Sequence, residues 1–446
     1  MRTDEGSADR RTAGSSSASV APRRVLLCTF GSFGDLHPFL ALGLELAARG
    51  HRPVIATNRH YRAKVEAEGL GFHPIRPHLP EGADTRAEMA KIMDGAKGSE
   101  YIIRRVLMPA VRDQYEDLLA AAEQTEFLVS HPITYPGPLV AGKLGLRWAA
   151  AVLQPMLFFS ATDPPVPPGA ERMARLLRVN AAVSGFMMGV VKDRMREWAA
   201  PVDDLRAELG LPPADNPIFD GQFSPHLNLA LFSPLLGPPQ ADWPANTVAT
   251  GFPFYDRFGP GAGAPDGLRE FLDAGPPPVV FTLGSSAVML GSDFYRESLE
   301  VVRRLGCRAV FLAGEDDWHC LPKPLPPGVF LCAYAPHSEV FPRAAAIVHQ
   351  GGAGTTGQAL RAGRPMLVVP FAHDQPDHAH RIVRLGLGRY VPRGKYTASR
   401  VTRELGALLK DREVARCAED VGRRVREEAG VATACDAIEQ AMTAAQ

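Results

Sequence analysis

The sequence predicts an α/β fold of two Rossmann-like halves, each built on a parallel sheet. Three observations carry that expectation. Short apolar runs alternate with helical segments along most of the chain, the pattern of repeated βα units. A glycine-rich loop, HQGGAGTT (His349 to Thr356), lies between an apolar run and a helix, as in a parallel-sheet crossover. The 446 residues also exceed the size at which a single core keeps growing, so two domains follow.

The first half opens with RRVLLCTF (Arg23 to Phe30), a buried strand. The turn GSFGDLHP comes next, then a helix from Phe39 to Arg49 ended by Gly50, and a second strand from Arg52 to Asn58. A dinucleotide enzyme would place a third glycine where this loop has Asp35-Leu36. It would also close the second strand with an acid, where this chain has Thr57-Asn58, so the nicotinamide reading is weakened. The βα pairs continue around Ile75, with helices over Ala110 to Ala122 and Leu139 to Leu144 and strands over Glu126 to Ser130 and Trp148 to Leu153.

DPPVPPG (Asp163 to Gly169) interrupts regular structure. Glu171 to Ala199 reads as one or two helices. Its Arg172, Arg175 and Arg178 and its apolar run Phe186 to Val191 fit either a helix packed on the sheet or a Met-lined wall for an apolar ligand. The strand Leu227 to Ser233 closes this half. Residues 234–278, rich in Pro and Gly, mark the interdomain connection and hold a short helix, Leu268 to Ala274.

A second series starts at PVVFTLGSS (Pro278 to Ser286). It continues through the helix Tyr295 to Leu305 and the strands Cys307 to Gly314 and Gly328 to Tyr334. Next come the strand Ala344 to Val348, the glycine loop, a helix from Thr355 to Ala362 and the strand Pro365 to Phe371, and the tail from Ser399 is helical and charged. The expected domains are a disordered tail 1–21, an N-terminal Rossmann-like domain 22–240, a linker 241–277, a C-terminal Rossmann-like domain 278–425 and a last helix within 426–446.

Composition narrows the partners. The 49 Lys+Arg balance 49 Asp+Glu, so nothing favours nucleic acid and a small-molecule partner is expected. No run approaches the roughly 20 apolar residues of a spanning helix. The first 21 residues lack the apolar core of a signal peptide. Six scattered cysteines without C-x-x-C pairs fit a reduced cytoplasmic setting, and abundant Ala, Arg, Gly and Pro point to a high-GC bacterial source.

The glycine loop has a direct chemical reading. Gly351, Gly352 and Gly354 let the chain turn sharply and let an anion approach the backbone. The N–H groups of Gly354, Thr355 and Thr356, at a helix start, are expected to lack intrahelical partners and to bind phosphate. His349, at the preceding strand end, adds a donor to the same anion. Asp374 and Gln375, at the end of the next strand, suit sugar hydroxyls.

HQGGAGTT followed by RAGRPMLVVPFAHDQPDHA resembles the donor-binding signature of inverting nucleotide-sugar glycosyltransferases of the GT-B fold. In pattern it is most similar to bacterial natural-product and rhamnolipid-type rhamnosyltransferases and to sterol glucosyltransferases. The resemblance implies two Rossmann-like domains with parallel sheets facing across a cleft, and a last helix that packs back on the first domain. By it, His349 is a diphosphate ligand and Asp374 and Gln375 are sugar contacts. Ser285 and Ser286 would be a second diphosphate contact, or else an ordinary capping turn. Tyr334 would stack on the base and the Ala335 backbone would bond its edge; the alternative for Tyr334 is a core tyrosine. Many relatives carry a Glu after the TT to hold the ribose. Here Gly357-Gln358 stand there, which leaves the ribose contact open with Gln358 a candidate.

The resemblance also places the base in the first domain. The family's G-H-x-x-P becomes Gly34-Asp35-Leu36-His37-Pro38, so Asp35 holds the position of the base. His37 competes with it, and an N-cap role for Asp35 ahead of Pro38 is the plain structural alternative. Ser130-His131 stand where relatives place the Asp that supports a catalytic His, which leaves a reversed pairing of Asp35 with His131.

His373, Asp374, Asp377, His378 and His380 have metal-ligand chemistry, yet a helix-end site neutralises diphosphate without a cation, so no metal is expected. No resident cofactor is expected either, since the sugar nucleotide is a co-substrate. The implied acceptor is a hydrophobic alcohol, with room for a peripheral membrane or lipid-substrate contact. Monomer and homodimer both stay open. Two rivals remain: a non-catalytic relative that binds or activates a partner enzyme, and a dinucleotide-dependent oxidoreductase.

Overall fold

Strands that read as continuous apolar runs must be covered by helices on both faces, and both halves of the chain are built that way. The computed structural model describes residues 21–78, 84–170, 178, 180–256, 263–284, 287 and 290–444. In the first half, β1 (Arg24–Cys28), β2 (Arg52–Thr57), β3 (Gly71–Pro74), β4 (Phe127–Ser130), β5 (Arg147–Val152), β6 (Leu227–Ala230) and β7 (Thr247–Ala249) form a parallel sheet in the order β3-β2-β1-β4-β5-β6-β7. In the second, β8 (Val279–Thr282), β9 (Ala309–Leu312), β10 (Val329–Cys332), β11 (Ala346–His349), β12 (Met366–Val368) and β13 (Gly388–Tyr390) take the order β10-β9-β8-β11-β12-β13, again all parallel.

Each order reverses direction once, between β1 and β4 and between β8 and β11, where Cys28 lies opposite Ser130 and Phe281 opposite Val348. Crevices for ligands open beyond the carboxyl ends of strands at such reversals. The topology therefore selects the residues that follow β1, β4, β8 and β11.

Alternation along β1 sends Val25 and Leu27 into one apolar layer and Leu26 and Cys28 into the other. The closing helix, Gly430–Thr443, inserts Cys435, Ile438 and Met442 into the layer that holds Val25. Arg49, at the end of the opening helix, donates to Asp436 and Glu439 of the closing helix at 2.6 and 2.7 Å. A further cluster bridges the halves: Phe158, Phe232 and Trp243 pack with Val280, Ile347 and Val368. The Phe158 and Trp243 rings stack at 3.9 Å.

Several elements differ from the sequence expectation. The opening helix spans Phe33–Ala48 and so starts before Pro38 rather than at Phe39. The reason is a reciprocal cap: the Ser32 hydroxyl accepts from the Gly34 N–H, and the Asp35 carboxylate accepts from the Ser32 N–H. Asp35 is thus the third helical residue, not an N-cap. The segment 241–277 carries β7, which extends the first sheet. Residues between β3 and the Val111–Ala121 helix form two short helices, Asp84–Ile92 and Gly98–Tyr101, followed by a π-helical stretch, Ile102–Leu107.

The run Phe186 to Val191 lies in the helix Ala181–Met195. Phe186 is 74% and Val190 53% exposed, so most of the run faces outward, while Met188 packs against the core layer that holds Leu26 and Cys28. Arg172, Arg175 and the tail 1–20 lie outside the described residues. Among the described residues no helix is long and apolar enough to cross a membrane.

Ile438 is fully buried in the seam between the closing helix and the first half. Truncation there leaves a cavity, so Ile438→Ala is expected to lower stability by about 2–5 kcal/mol, read from the denaturant midpoint.

Candidate functional site

The glycine loop is held in shape by two histidines. Strand β11 ends at His349, whose Nδ1 accepts the Gly351 N–H at 3.1 Å. On the helix Gln375–Arg384, His378 donates from Nδ1 to the Gly351 carbonyl at 2.7 Å. Gly351 sits at φ +93°, and a Cβ there would meet Val368 at 2.8 Å and the Gln375 carbonyl at 3.1 Å, so only glycine fits. Because Nδ1 accepts, the neutral His349 ring carries its proton on Nε2. Burial holds that ring neutral by pushing its pKa down to about 3. Its Nε2–H is buried and has no partner among the described residues.

The loop helix spans Ala353–Ala362 with Gly352 as N-cap. It starts earlier than expected, which shifts the anion donors by one residue. Thr356 N–H already donates to the Gly352 carbonyl at 2.9 Å, so the free helical N–H groups are those of Ala353, Gly354 and Thr355. Thr356 instead presents its hydroxyl, buried and without a partner among the described residues. These donors, His349 Nε2 and the helix positive end stand together at the β8/β11 reversal, an arrangement whose chemistry suits an anion.

Across the crevice, the opening helix brings its own N-terminus to the same place. A Cβ on Gly354 would lie 3.9 Å from the Gly34 Cα. Asp35, beside it, spends one carboxylate oxygen on its cap, accepting from Ser32 N–H at 2.7 Å and the Ser32 hydroxyl at 3.2 Å. Its other oxygen lies 4.0 Å from His131 Nε2. Burial pushes the Asp35 carboxyl up to about 6, and the Asp374 charge adds to the rise, against the lowering effect of the Ser32 bonds. His131 follows β4 at the first reversal; its Nδ1 accepts the Ile133 N–H at 3.4 Å, which leaves the Nε2 proton turned toward Asp35. Desolvation lowers its pKa to about 3, so this ring too is neutral.

His37 is not part of this group. Two residues on from Asp35 along a helix, it turns to another face and packs between Phe33 and Tyr255, with ring centroids at 5.3 and 4.8 Å. Burial and the charges of Lys64 and His337 lower its pKa to about 3.

Asp374 lies at the start of the helix Gln375–Arg384, with a carboxylate oxygen 3.3 Å from His378 Nδ1. Gln375 is less available than expected: its carbonyl oxygen accepts from Phe371 and Ala372 N–H at 2.8 and 3.2 Å and shapes the loop. The other members of the His-Asp cluster have partners of their own: Asp377 accepts from Arg381 and Val166 N–H, and His373 meets Ser99.

Tyr334 and Ala335 follow β10. Ala335 is fully buried; Tyr334 is half-buried, its hydroxyl pushed up to about 12 by burial with the charge of Asp256 adding. Gln358 donates to Asp256 at 2.6 Å, and Arg361 pairs with the same carboxylate at 2.7 Å. Asp256 is a carboxylate the sequence reading passed over; nothing short of the fold brings it beside Tyr334. Ser285 and Ser286 lie outside the described residues. Gly284, just before them, faces Gln350, whose amide nitrogen would stand 2.0 Å from a Cβ there.

Comparison with known proteins gives the family and the fold. Residues 25–111 match the glycosyltransferase family 28 N-terminal domain, and residues 311–440 match the erythromycin biosynthesis protein CIII-like C-terminal domain. The chain is 31% identical over 428 residues to O-mycaminosyltylonolide 6-deoxyallosyltransferase of Streptomyces fradiae, covering 94% of this chain and 97% of that protein. It is 29% identical to a sterol 3-beta-glucosyltransferase of Neosartorya fischeri, over 93% of this chain but only 29% of that longer protein. In fold it is similar to the glycosyltransferase VinC, solved in complex with dTDP, with a TM-score of 0.66 at 20% identity over 94% of this chain and 99% of that one.

The raised Asp35 carboxyl gives a direct test. It should titrate near pH 6 in a carboxyl-carbon NMR series. Asp374→Asn removes a like charge from across the crevice and should move that midpoint down.

Proposed function

From the premise that the chain belongs to the GT-B nucleotide-sugar glycosyltransferases with a family 28 type N-terminal domain and an erythromycin-biosynthesis-CIII-like C-terminal domain, we propose an inverting transfer with Asp35 as base. The donor is a hexose or deoxyhexose linked to dTDP or UDP, and the acceptor is a hydroxyl of an apolar polycyclic or macrocyclic small molecule. The names of the two relatives support that range: one transfers a deoxysugar, the other glucosylates sterols. dTDP is the first nucleotide to test because VinC was solved with it.

One observation carries the reading: a carboxylate of raised pKa stands across a narrow crevice from a loop of unpaired donors. The diphosphate lies on the N–H groups of Ala353, Gly354 and Thr355, with His349 Nε2–H as a further donor. Asp374 holds sugar hydroxyls. The acceptor hydroxyl gives its proton to the Asp35 oxygen that the cap leaves free, and its oxygen bonds the anomeric carbon. The bond from that carbon to the diphosphate oxygen breaks on the opposite face, and its electron pair leaves with the diphosphate, so the configuration inverts. Charge developing on the leaving group meets fixed dipoles, which gives a metal ion no necessary part.

His131 faces the same oxygen, and a proton on its Nε2 favours the carboxylate form until the acceptor arrives. His37 has no part in these steps. The Asp35 base must be ionised to act, and its pKa is raised, so activity is present above about pH 6 and lost as pH falls through that value.

Asp35→Asn retains an oxygen for the Ser32 cap. It should leave dTDP affinity within twofold while lowering kcat by about 10²–10⁴ in an acceptor screen of sterols and macrocyclic alcohols. Full turnover by that variant sinks the assignment. His349→Ala should instead weaken dTDP binding by about tenfold, measured by calorimetry. Transfer should persist in excess chelator, and the wild-type kcat/KM profile should fall below about pH 6.

A further inference from the structure

A segment of the first half is packed into the second. Residues 84–101 lie between β3 and the Val111–Ala121 helix, yet Ile92 and Met93 are buried among Phe281, Leu283, Phe371 and Ala372, with Met89 and Tyr101 alongside. Gly95 lets the segment lie this close, since a Cβ there would meet the Phe371 carbonyl at 2.9 Å, and Gly98 lets the segment fold back on itself, since a Cβ there would meet the Ile92 carbonyl at 2.1 Å.

The segment ends on His373. Ser99 Oγ is 3.0 Å from His373 Nδ1, the Ile92 backbone also bears on the ring, and His373 Cε1 lies 3.5 Å from a Cβ placed on Gly98. His373 has φ +57°, a left-handed conformation uncommon outside glycine, in which His, Asn and Asp are the side chains found most often. Such a conformation persists where the surroundings over-determine it. The next residue is Asp374, so the direction of its carboxylate depends on how the His373 backbone is held.

We propose that His373 is a positioning residue, its ring clamped by Ser99 of the crossing segment so that its left-handed backbone aims Asp374 at the donor sugar. The proposal rests on the reading of Asp374 as the sugar contact. It adds that sugar recognition in the second half depends on a segment supplied by the first. A nucleoside diphosphate alone does not reach Asp374, so the clamp affects the sugar and not the nucleotide.

The test is calorimetric titration with dTDP, dTDP-glucose, UDP and UDP-glucose on the wild type, Ser99→Ala, His373→Ala, His373→Asn and Asp374→Asn. The quantity read is the ratio of Kd for the nucleotide to Kd for its glucose conjugate. Asp374→Asn, Ser99→Ala and His373→Ala should each lower that ratio by about tenfold, with nucleotide affinity within twofold. His373→Asn should restore it, because Asn accepts the left-handed backbone and can bond Ser99.

A purely structural role would lower the melting temperature without moving the ratio, and that result overturns the proposal. So does loss of nucleotide and conjugate affinity together. If His373→Ala does not fold, Ser99→Ala decides, since Ser99 is exposed and loses one hydroxyl. A wild type that binds neither conjugate, or an Asp374→Asn variant that keeps the wild-type ratio, overturns the reading of the sugar site itself. An unchanged ratio in Ser99→Ala beside a collapsed ratio in Asp374→Asn overturns the clamp alone.

Discussion

Two helices meet N-terminus to N-terminus at Gly34 and Gly354, and the rest of the site depends on that approach. Each helix end carries a partial positive charge, so bringing two together costs free energy unless negative charge lies between them. Asp35, in the first turn of one helix, supplies part of it from the protein. A diphosphate would supply the rest. On the proposed reading, the apposition sets both affinity for an anionic donor and the place of the group that takes a proton, because cap and proposed base are the same carboxylate. The two glycines bring the backbones to van der Waals distance, a Cβ on Gly354 standing 3.9 Å from the Gly34 Cα.

Holding the halves in that relation falls to apolar packing and to a buried ionic cluster. Arg381, almost fully buried, pairs with Asp377 one turn back on its own helix at 2.6 Å and with Asp163 from the first half. Asp377 also accepts the Val166 N–H at 3.1 Å, and Arg384 reaches Asp163 at 2.6 Å. Ions this deep bring little net stability, but they tolerate few alternative arrangements, and removing one partner strands the other. The helix they fix, Gln375–Arg384, carries Asp374 just before its first turn and His378 in its second. The proline-rich stretch around Asp163 thus supplies fixed cross-links: its prolines keep it out of helix and sheet and leave its polar groups free to face the other half.

Loop shape and electrostatics are coupled through the histidines. His349 and His378 hold Gly351 from both sides, one accepting its N–H and the other donating to its C=O, and both rings are buried. A ring kept neutral by desolvation has one donor and one acceptor, so its hydrogen bond to the loop dictates what its other nitrogen offers. For His349 that is a buried proton on Nε2 with no partner among the described residues. The same logic applies to His131, whose backbone contact leaves its proton turned to Asp35. Charging the His349 or His131 ring would be costly here, and the site obtains direction from these two rather than charge.

Local rules reach a definite distance in this protein. Apolar runs of four to eight residues and a glycine loop between strand and helix are short-range signals, and they placed β1, β4, β8, β11 and the loop helix within a few residues. The same signals brought out His349 and Asp374, because each stands next to a strand end or a turn whose composition is distinctive, whereas Asp35 came from the resemblance of its segment to the family pattern. They misplaced the start of the opening helix, where Pro38 was weighted above the Ser32/Asp35 cap, and the register of the free N–H groups by one residue. What only the tertiary structure decided are pairings between distant segments: Gln358 with Asp256, Ser99 with His373 and Asp163 with Arg381. A side chain's period along the sequence tells which face it takes on its own element; which residue stands opposite depends on strand order and on how two domains close, and no local pattern encodes either.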